Sequence, residues 1–520
     1  MKQLAISENY LVRNFSITSL SRGLGIGCGL LLDALILFYF GLSNETDAYF
    51  AALSIPFLIA STLEIQIPKV LVPLCTGSLR KDEKEATWHV LSNFISVCSI
   101  LLACASLLGM GLASIFIPIL VPGFHPDVVS LAVKLCMILS WITVMSGVGA
   151  IFQSILYSHH KYLVAESTKY VTNIASILVF VVFQRQLGIY ALAFGVLAGS
   201  GAAFIMRLSA VLALGFRYKV VCNLNDERLH NIFKLLLYTL SGHALGECKI
   251  LVENFLLSFL GGGSLSALRY ASKIVEALVG VIIGGIATST LPLVSHYAAE
   301  KNIEMMKLSI LKSIKLSIFV AVPLSIWLIF NGESLVMLLF GRGEFSHGDA
   351  ALTSSLITLF APYIVTSRIS SIIQTIFYAT VDTRTPAISA LLTFVINAAI
   401  AFTFVKSVGI YIFPIASSAA ALCTAAVMSN LLHRKFGALG WKRLGSFGMQ
   451  FSGVIIVTTF AFMMSVNLPK YGSPETLVEQ LITFTIPTVL GAVSFVTASL
   501  LLGVIHRHTW YGFVRPSKVL

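Results

Sequence analysis

Between Ser264 and Pro292 runs the stretch SLSALRYASKIVEALVGVIIGGIATSTLP, apolar enough to cross a bilayer yet carrying Arg269, Lys273 and Glu276. On a helix the three share a face, because Lys273 follows Arg269 by four residues and Glu276 follows Lys273 by three. Stacked cations inside a membrane cost several kcal/mol unless they line water or meet an anion. Glu276 compensates only one of them, so the stripe predicts a polar cavity and a ligand that brings negative charge. The competing reading is that Arg269 sits near the helix start and snorkels to the surface.

Other apolar stretches carry charge too. The first span holds Arg22 and Asp33, and the second opens at Asp47 and holds Glu64 and Lys69. The seventh holds Glu247, Lys249 and Glu253. Arg22 has no carboxylate at helical spacing within its own helix, which favours a ligand role. Lys249 and Glu253 are spaced to pair on one helix face, so a structural ion pair and a ligand site explain them equally well. Asp33 is read as structural or interfacial. Asp47, Glu64, Lys69 and Glu276 are expected to gate the cavity or to pair with its cations. Lys134, Arg207, Lys312 and Lys315, in spans with few charges at mid-depth, are expected to snorkel. The cations suit phosphate: arginine grips its oxygens in a forked geometry, and lysine acts as a point charge.

The elements that position these residues must be membrane helices. The chain has 520 residues, 57% hydrophobic and only 11% charged, against about 25% charged in a soluble domain. Its mean hydropathy is +0.89. Eight cysteines are scattered with no CxxC pair, and His159-His160 and His506/His508 lack metal partners at useful spacing, so neither a disulfide framework nor a metal site is expected. No signal peptide is evident. The net charge of +12 reads as basic cytoplasmic loops rather than as a nucleic-acid surface. Fourteen apolar spans are expected between about residues 15 and 505. Alternate loops hold most of the Lys and Arg, among them Arg80, Lys81, Lys84, Arg217, Lys219, Arg228, Arg434 and Lys435, which places both termini in the cytoplasm.

The sequence repeats itself. IFQSILYS at 151–158 returns as IIQTIFYA at 372–379, and Gly188-Ile189-Tyr190 returns as Gly409-Ile410-Tyr411, both at an offset of 221. The loop ending Gly123-Phe124 matches the one ending Glu344-Phe345 at the same offset. Phe50-Ala51-Ala52 with Pro73 pairs with Tyr270-Ala271-Ser272 with Pro292, at 219–220. Six spans per copy, an even number, give both copies the same orientation. The expected fold is an all-α polytopic membrane protein with two parallel six-helix repeats and a C-terminal helix pair. Its expected parts are an N-terminal lobe at 1–216, a cytoplasmic linker at 217–231, a second lobe at 232–437, and the final pair with its tail at 438–520. Two such lobes with a site between them describe a rocking-type transporter.

Signals for an enzyme are missing. There is no GxxxxGK[ST] phosphate loop, no GxSxG and no HExxH. Four segments instead carry a likeness: Ser21-Arg22-Gly23-Leu24-Gly25, Thr46-Asp47-Ala48-Tyr49-Phe50, Phe340-Gly341-Arg342-Gly343-Glu344-Phe345, and Phe377 through Pro386 (FYATVDTRTP). With them the chain resembles the MurJ/MviN flippases of the multidrug/oligosaccharidyl-lipid/polysaccharide superfamily over nearly its whole length. That resemblance implies fourteen helices, the last two forming a groove for a lipid tail, and transport of lipid II, an undecaprenyl-pyrophosphate-linked peptidoglycan precursor. It also implies cavity arginines. The first corresponds to Arg22, and the second, six residues on, falls at Cys28. The third belongs in span 2, where Ile55 through Ser61 offers no cation, and the fourth is Lys273 within Tyr270-Ala271-Ser272-Lys273. Glu276 matches an acidic position of the family, and Arg269 or Lys69 are the candidates to replace the missing cations.

The expected activity is therefore translocation of lipid II across the bacterial inner membrane by alternating access, with Arg22, Lys273 and Arg269 holding the pyrophosphate. The alternative cargo is another lipid-linked oligosaccharide, of exopolysaccharide or O-antigen type. A drug/cation antiporter would call for a carboxylate-dominated cavity, and a membrane glycan ligase for large outward loops. No cofactor is expected, and the coupling ion, if one is used, is open. The expected partners are the polyprenyl-pyrophosphate-linked saccharide, the bilayer and proteins of cell-envelope glycan synthesis, with no nucleic acid.

Overall fold

Apolar runs far longer than a soluble core needs dictate helices, because backbone polar groups in lipid must be satisfied within the segment. A computed structural model describes residues 21, 23–77, 84–282, 284–380, 382, 384–437, 441–466 and 477–504. Every element among them is helical. The chain forms two compact units, Met1–Ser266 and Ala267–Leu520.

The first unit holds α1 (Gly23–Phe40), α2 (Asn44–Gly77), α3 (Lys84–Leu120), α4 (Pro126–Leu139), α5 (Ile142–Ser158), α6 (Tyr162–Leu187), α7 (Ile189–Ala213), α8 (Glu227–Glu247) and α9 (Lys249–Leu257). Helix α10 (Ser264–Ile282) begins at its edge. The second unit continues with α11 (Gly284–Ala299), α12 (Ile303–Phe340), α13 (His347–Leu359), α14 (Ala361–Ala379), α15 (Arg384–Val408) and α16 (Ile412–Phe436). It closes with α17 (Trp441–Val466) and α18 (Leu477–Leu501). Eleven helical stretches among the described residues are long and apolar enough to cross a membrane. One of them, Arg384–Phe436, contains both α15 and α16, joined by a short 3-10 turn at Gly409–Tyr411.

The two halves solve the same local problems in the same way. Gly188 and Gly409, at the offset of 221, both take positive φ (53° and 66°), a conformation in which a Cβ would be strained. The fourth span of each half is broken, between α4 and α5 at Ser140–Trp141 and between α13 and α14 at Phe360. A break interrupts the backbone ladder inside the membrane, where no water replaces a lost bond. A serine of the preceding long helix ties each break to its neighbour in both halves: Ser106 Oγ donates to the Ser140 carbonyl (2.9 Å) and Ser325 Oγ to the Ala361 carbonyl (3.0 Å).

In the first unit α2 packs on α4, α5 and α8, burying Ile67, Leu71, Phe94, Ile151, Phe152, Ile155 and Leu236 in one cluster. Helices α6 and α7 come close because Gly195 and Gly199 face the backbone of Ser176 and Thr172. In the second unit Val294, Ile310, Ile314, Ile372, Ile376, Phe377 and Met428 form the corresponding core. The C-terminal pair packs on α12, where Phe319 meets Phe451 and Phe495, and the Trp327 indole N–H donates to Thr488 Oγ1 (2.9 Å). Exposed leucine, isoleucine and phenylalanine side chains recur along α3, α6, α15, α17 and α18, as helices facing lipid require.

Candidate functional site

Helix α10 is strongly two-sided. Leu265, Ala267, Leu268, Tyr270, Ala271, Ile274, Val275 and Val279 are buried, and Tyr270 packs against Phe340. Off that face stand Arg269, half-buried, and Lys273 and Glu276, both exposed. Side chains four residues apart on a helix lie about 6 Å from each other, so two such cations repel by about 3 kcal/mol where the effective dielectric is near 20 and by under about 1 kcal/mol in water. The stripe is therefore stable where it is hydrated, and an anion lying across it removes the repulsion. Lipid can do neither.

The start of α10 is held by α2. Asp47 is fully buried, and its Oδ1 accepts from the backbone N–H (2.7 Å) and the hydroxyl (2.7 Å) of Ser266. Its Oδ2 accepts from the Gly263 N–H (2.8 Å). These are donors that the first turn of a helix leaves without intrahelical partners, and a carboxylate there also meets the positive end of the helix dipole. Thr46 Oγ1 donates to Ser266 Oγ (3.3 Å), and these two residues stand at equivalent positions of the repeat, 220 apart. Asp47, read from the sequence as a gating or pairing group, is thus placed as the cap of the helix that carries the cationic stripe.

Glu64 Oε1 on α2 lies 3.4 Å from Arg207 Nη1 on α7, and Arg207 Nη2 donates to Thr168 Oγ1 on α6 (2.8 Å). Arg207 is only 5% exposed, whereas Glu64 is 35% exposed. The sequence reading of Arg207 as a snorkelling residue is corrected here. Although only six residues from the end of α7, it turns inward, because a carboxylate and a hydroxyl there meet its charge. Room for the guanidinium comes from Gly149, where an added Cβ would lie 2.8 Å from Nη1. Nearby, Gln153 donates to the Tyr157 hydroxyl (2.9 Å), which donates to buried Glu166 (2.8 Å).

Lys249 Nζ lies 3.3 Å from Glu253 Oε1 on α9, with Glu253 buried. Lys69 is exposed on α2. Arg22 lies outside the described residues, and Cys28 is half-buried. Sequence reasoning also missed Asp382. Its Oδ2 accepts from Lys435 Nζ (2.7 Å) at the end of α16, and its Oδ1 from the Thr385 N–H (3.1 Å) opening α15. The residues were visible within FYATVDTRTP, but Lys435 is 53 positions away.

Membrane-spanning helices in two internally similar halves, with a basic stripe and a carboxylate on an otherwise apolar helix, define a polytopic transporter that handles an anionic, membrane-borne molecule. Residues 36–485 match the model of the family described as "Lipid II flippase MurJ", and the chain belongs to that family. A relative from Aquifex aeolicus (strain VF5), "Probable lipid II flippase MurJ", is 26% identical over 393 residues, covering 75% of this chain and 77% of its own. A relative of the same name from Vibrio cholerae is 23% identical over 508 residues, covering 94% of this chain and 95% of its own. A solved structure, "Lipid II flippase MurJ, inward closed conformation", has the same fold at a TM-score of 0.77 and 21% identity, covering 93% of this chain and 98% of that one.

Proposed function

We propose that this protein flips lipid II, the undecaprenyl-pyrophosphate-linked peptidoglycan precursor, across the bacterial inner membrane by alternating access. The observation that carries the reading is family membership over residues 36–485, joined to a helix that keeps two cations clear of its packed face. Lys273 and Arg269, with Arg22, bind the pyrophosphate oxygens, and Glu276 partners the cations when the site is empty. Access then alternates between the two faces while the polyprenyl tail stays in lipid. Passing a charged headgroup through a hydrated protein site avoids its transfer through hydrocarbon, which is prohibitive unaided. Both termini face the cytoplasm, no cofactor takes part, and the driving force is an ion gradient or the membrane potential. Proteins of cell-envelope glycan synthesis supply and receive the cargo.

The test is rescue of a strain depleted of its own lipid II flippase. Growth and lipid II translocation are expected with the intact chain, and their loss with Lys273→Ala or Arg22→Ala at unchanged membrane abundance. Full activity of both variants overturns the cation site. Absence of rescue by a well-expressed intact chain favours a different lipid-linked glycan as cargo. That second reading rests on Cys28 and on Ile55 through Ser61, which offer no cation at two places where the family resemblance expects one.

A further inference from the structure

After α7 the chain does not leave the helices. It turns at Gly215 (φ +83°) and lies against α3. Phe216 is buried and meets Trp88 edge-on, with ring centroids 4.9 Å apart, and Trp88 stacks on His159 at 5.9 Å. The Lys219 N–H donates to Ser92 Oγ (3.4 Å), and the Tyr218 hydroxyl bonds Ser96 Oγ (2.8 Å). Asn93 and Asn223 are joined twice: the Asn93 amide donates to the Asn223 carbonyl, and the Asn223 N–H to Asn93 Oδ1, both at 2.9 Å. Between this docked segment and α3 is a cavity of about 380 Å³ lined by Glu85, Trp88, His89, Ser92, Arg217 and Lys219. Such a volume holds a phosphate and the glycerol attached to it, not a single water.

We propose that this cavity binds the phosphate of an anionic glycerophospholipid at the membrane surface where α3 begins and α7 ends. Three observations lead there. Arg217 and Lys219 face one carboxylate, Glu85, so the lining has a surplus of positive charge. The segment also alternates: Tyr218 and Val220, 46% and 84% exposed, interleave with the two cations, and Leu224 beyond them is 69% exposed. A strand of chain in water gains nothing from that, whereas one lying in the headgroup layer buries them among acyl chains. Finally, Leu212 in the last turn of the apolar helix α7 is 48% exposed and only five residues before Arg217, which puts the mouth of the cavity at headgroup depth. Basic residues there attract anionic lipid, and an aromatic residue such as Trp88 is at home in the same layer. The site is independent of the flipping reaction and needs none of its residues.

The experiment is native mass spectrometry of the full-length protein released from bilayers of mixed phosphatidylglycerol and phosphatidylcholine, with no lipid II present. Wild-type protein is expected to retain a phosphatidylglycerol that the Arg217→Ala/Lys219→Ala variant loses. At about 1 kcal/mol per basic residue, affinity falls about 25- to 30-fold for the pair. Arg185→Ala removes the same kind of charge far from the cavity and leaves retention unchanged. Glu85→Gln, an exposed change that keeps the helix, raises retention and decides the question if the double variant does not fold. Equal retention by wild type, the double variant and Glu85→Gln overturns the proposal. Displacement of the lipid by millimolar inorganic phosphate, with phosphatidylcholine retained as well as phosphatidylglycerol, identifies a free-phosphate site and overturns the lipid assignment.

Discussion

Burying the Arg207 guanidinium is worthwhile only because Glu64 and Thr168 meet it, and the two ends of that pair are not equivalent. Removing Glu64 leaves a cation at 5% exposure without its counter-charge, a change that costs about 3–5 kcal/mol in fully buried pairs and falls at the low end here because Glu64 is 35% exposed. Removing the cation itself relieves its desolvation. Arg207→Met is therefore expected to be milder than Glu64→Ala, by about 1–2 kcal/mol. Thermal unfolding of the two variants in one detergent checks this, and the reverse order would show that the carboxylate is not what holds Arg207. Gly149→Ala should weaken the same contact from a third helix, since its methyl would lie 2.8 Å from Nη1.

At the scale of the element, the first turn of α10 depends on Asp47. Asp47→Ala strips three hydrogen bonds from buried donors, and an unmet buried N–H costs about 1–3 kcal/mol. Amide exchange at Gly263 and Ser266 should accelerate about tenfold or more, while Asp47→Glu, too long for the same geometry, recovers little; unchanged exchange would remove Asp47 from that role. Where the start of α15 meets the end of α16, the hydrogen bond from Lys435 holds the Asp382 carboxyl below the ordinary 3.8. With its folded value depressed, the contact contributes fully above 3.8 and is lost as pH falls through the lower folded value. The stability gap between wild type and Asp382→Asn should thus be constant near neutrality and close in stronger acid. For a half-exposed pair that gap is about 0.2–1 kcal/mol. These elements also mark what can be read from sequence. The α10 stripe and the Lys249–Glu253 pair were legible because helical spacing is local. Glu64–Arg207, 143 positions apart, and Asp382–Lys435 were not, because only the packing of different helices brings them together. The breaks at Ser140 and Phe360 were also hidden, since the serine hydroxyl that bonds at each comes from another helix.

For the molecule as a whole, orientation is the property that charge sets, and a native cysteine reports on it. Cytoplasmic loops accumulate Lys and Arg. The segment after α7 carries Arg217, Lys219 and Arg228, and the proposed orientation puts it on that side together with exposed Cys222. Cys104 and Cys423 are exposed as well, but they project from the apolar helices α3 and α16, where surrounding lipid keeps a water-soluble reagent away. A membrane-impermeant maleimide should therefore leave right-side-out vesicles unlabelled at Cys222 and label it in inside-out vesicles, with the signal lost in Cys222→Ala. Labelling from the outside would invert every loop. It would also place the docked basic segment and its cavity in the outer leaflet, and turn the cargo's entry face into its exit.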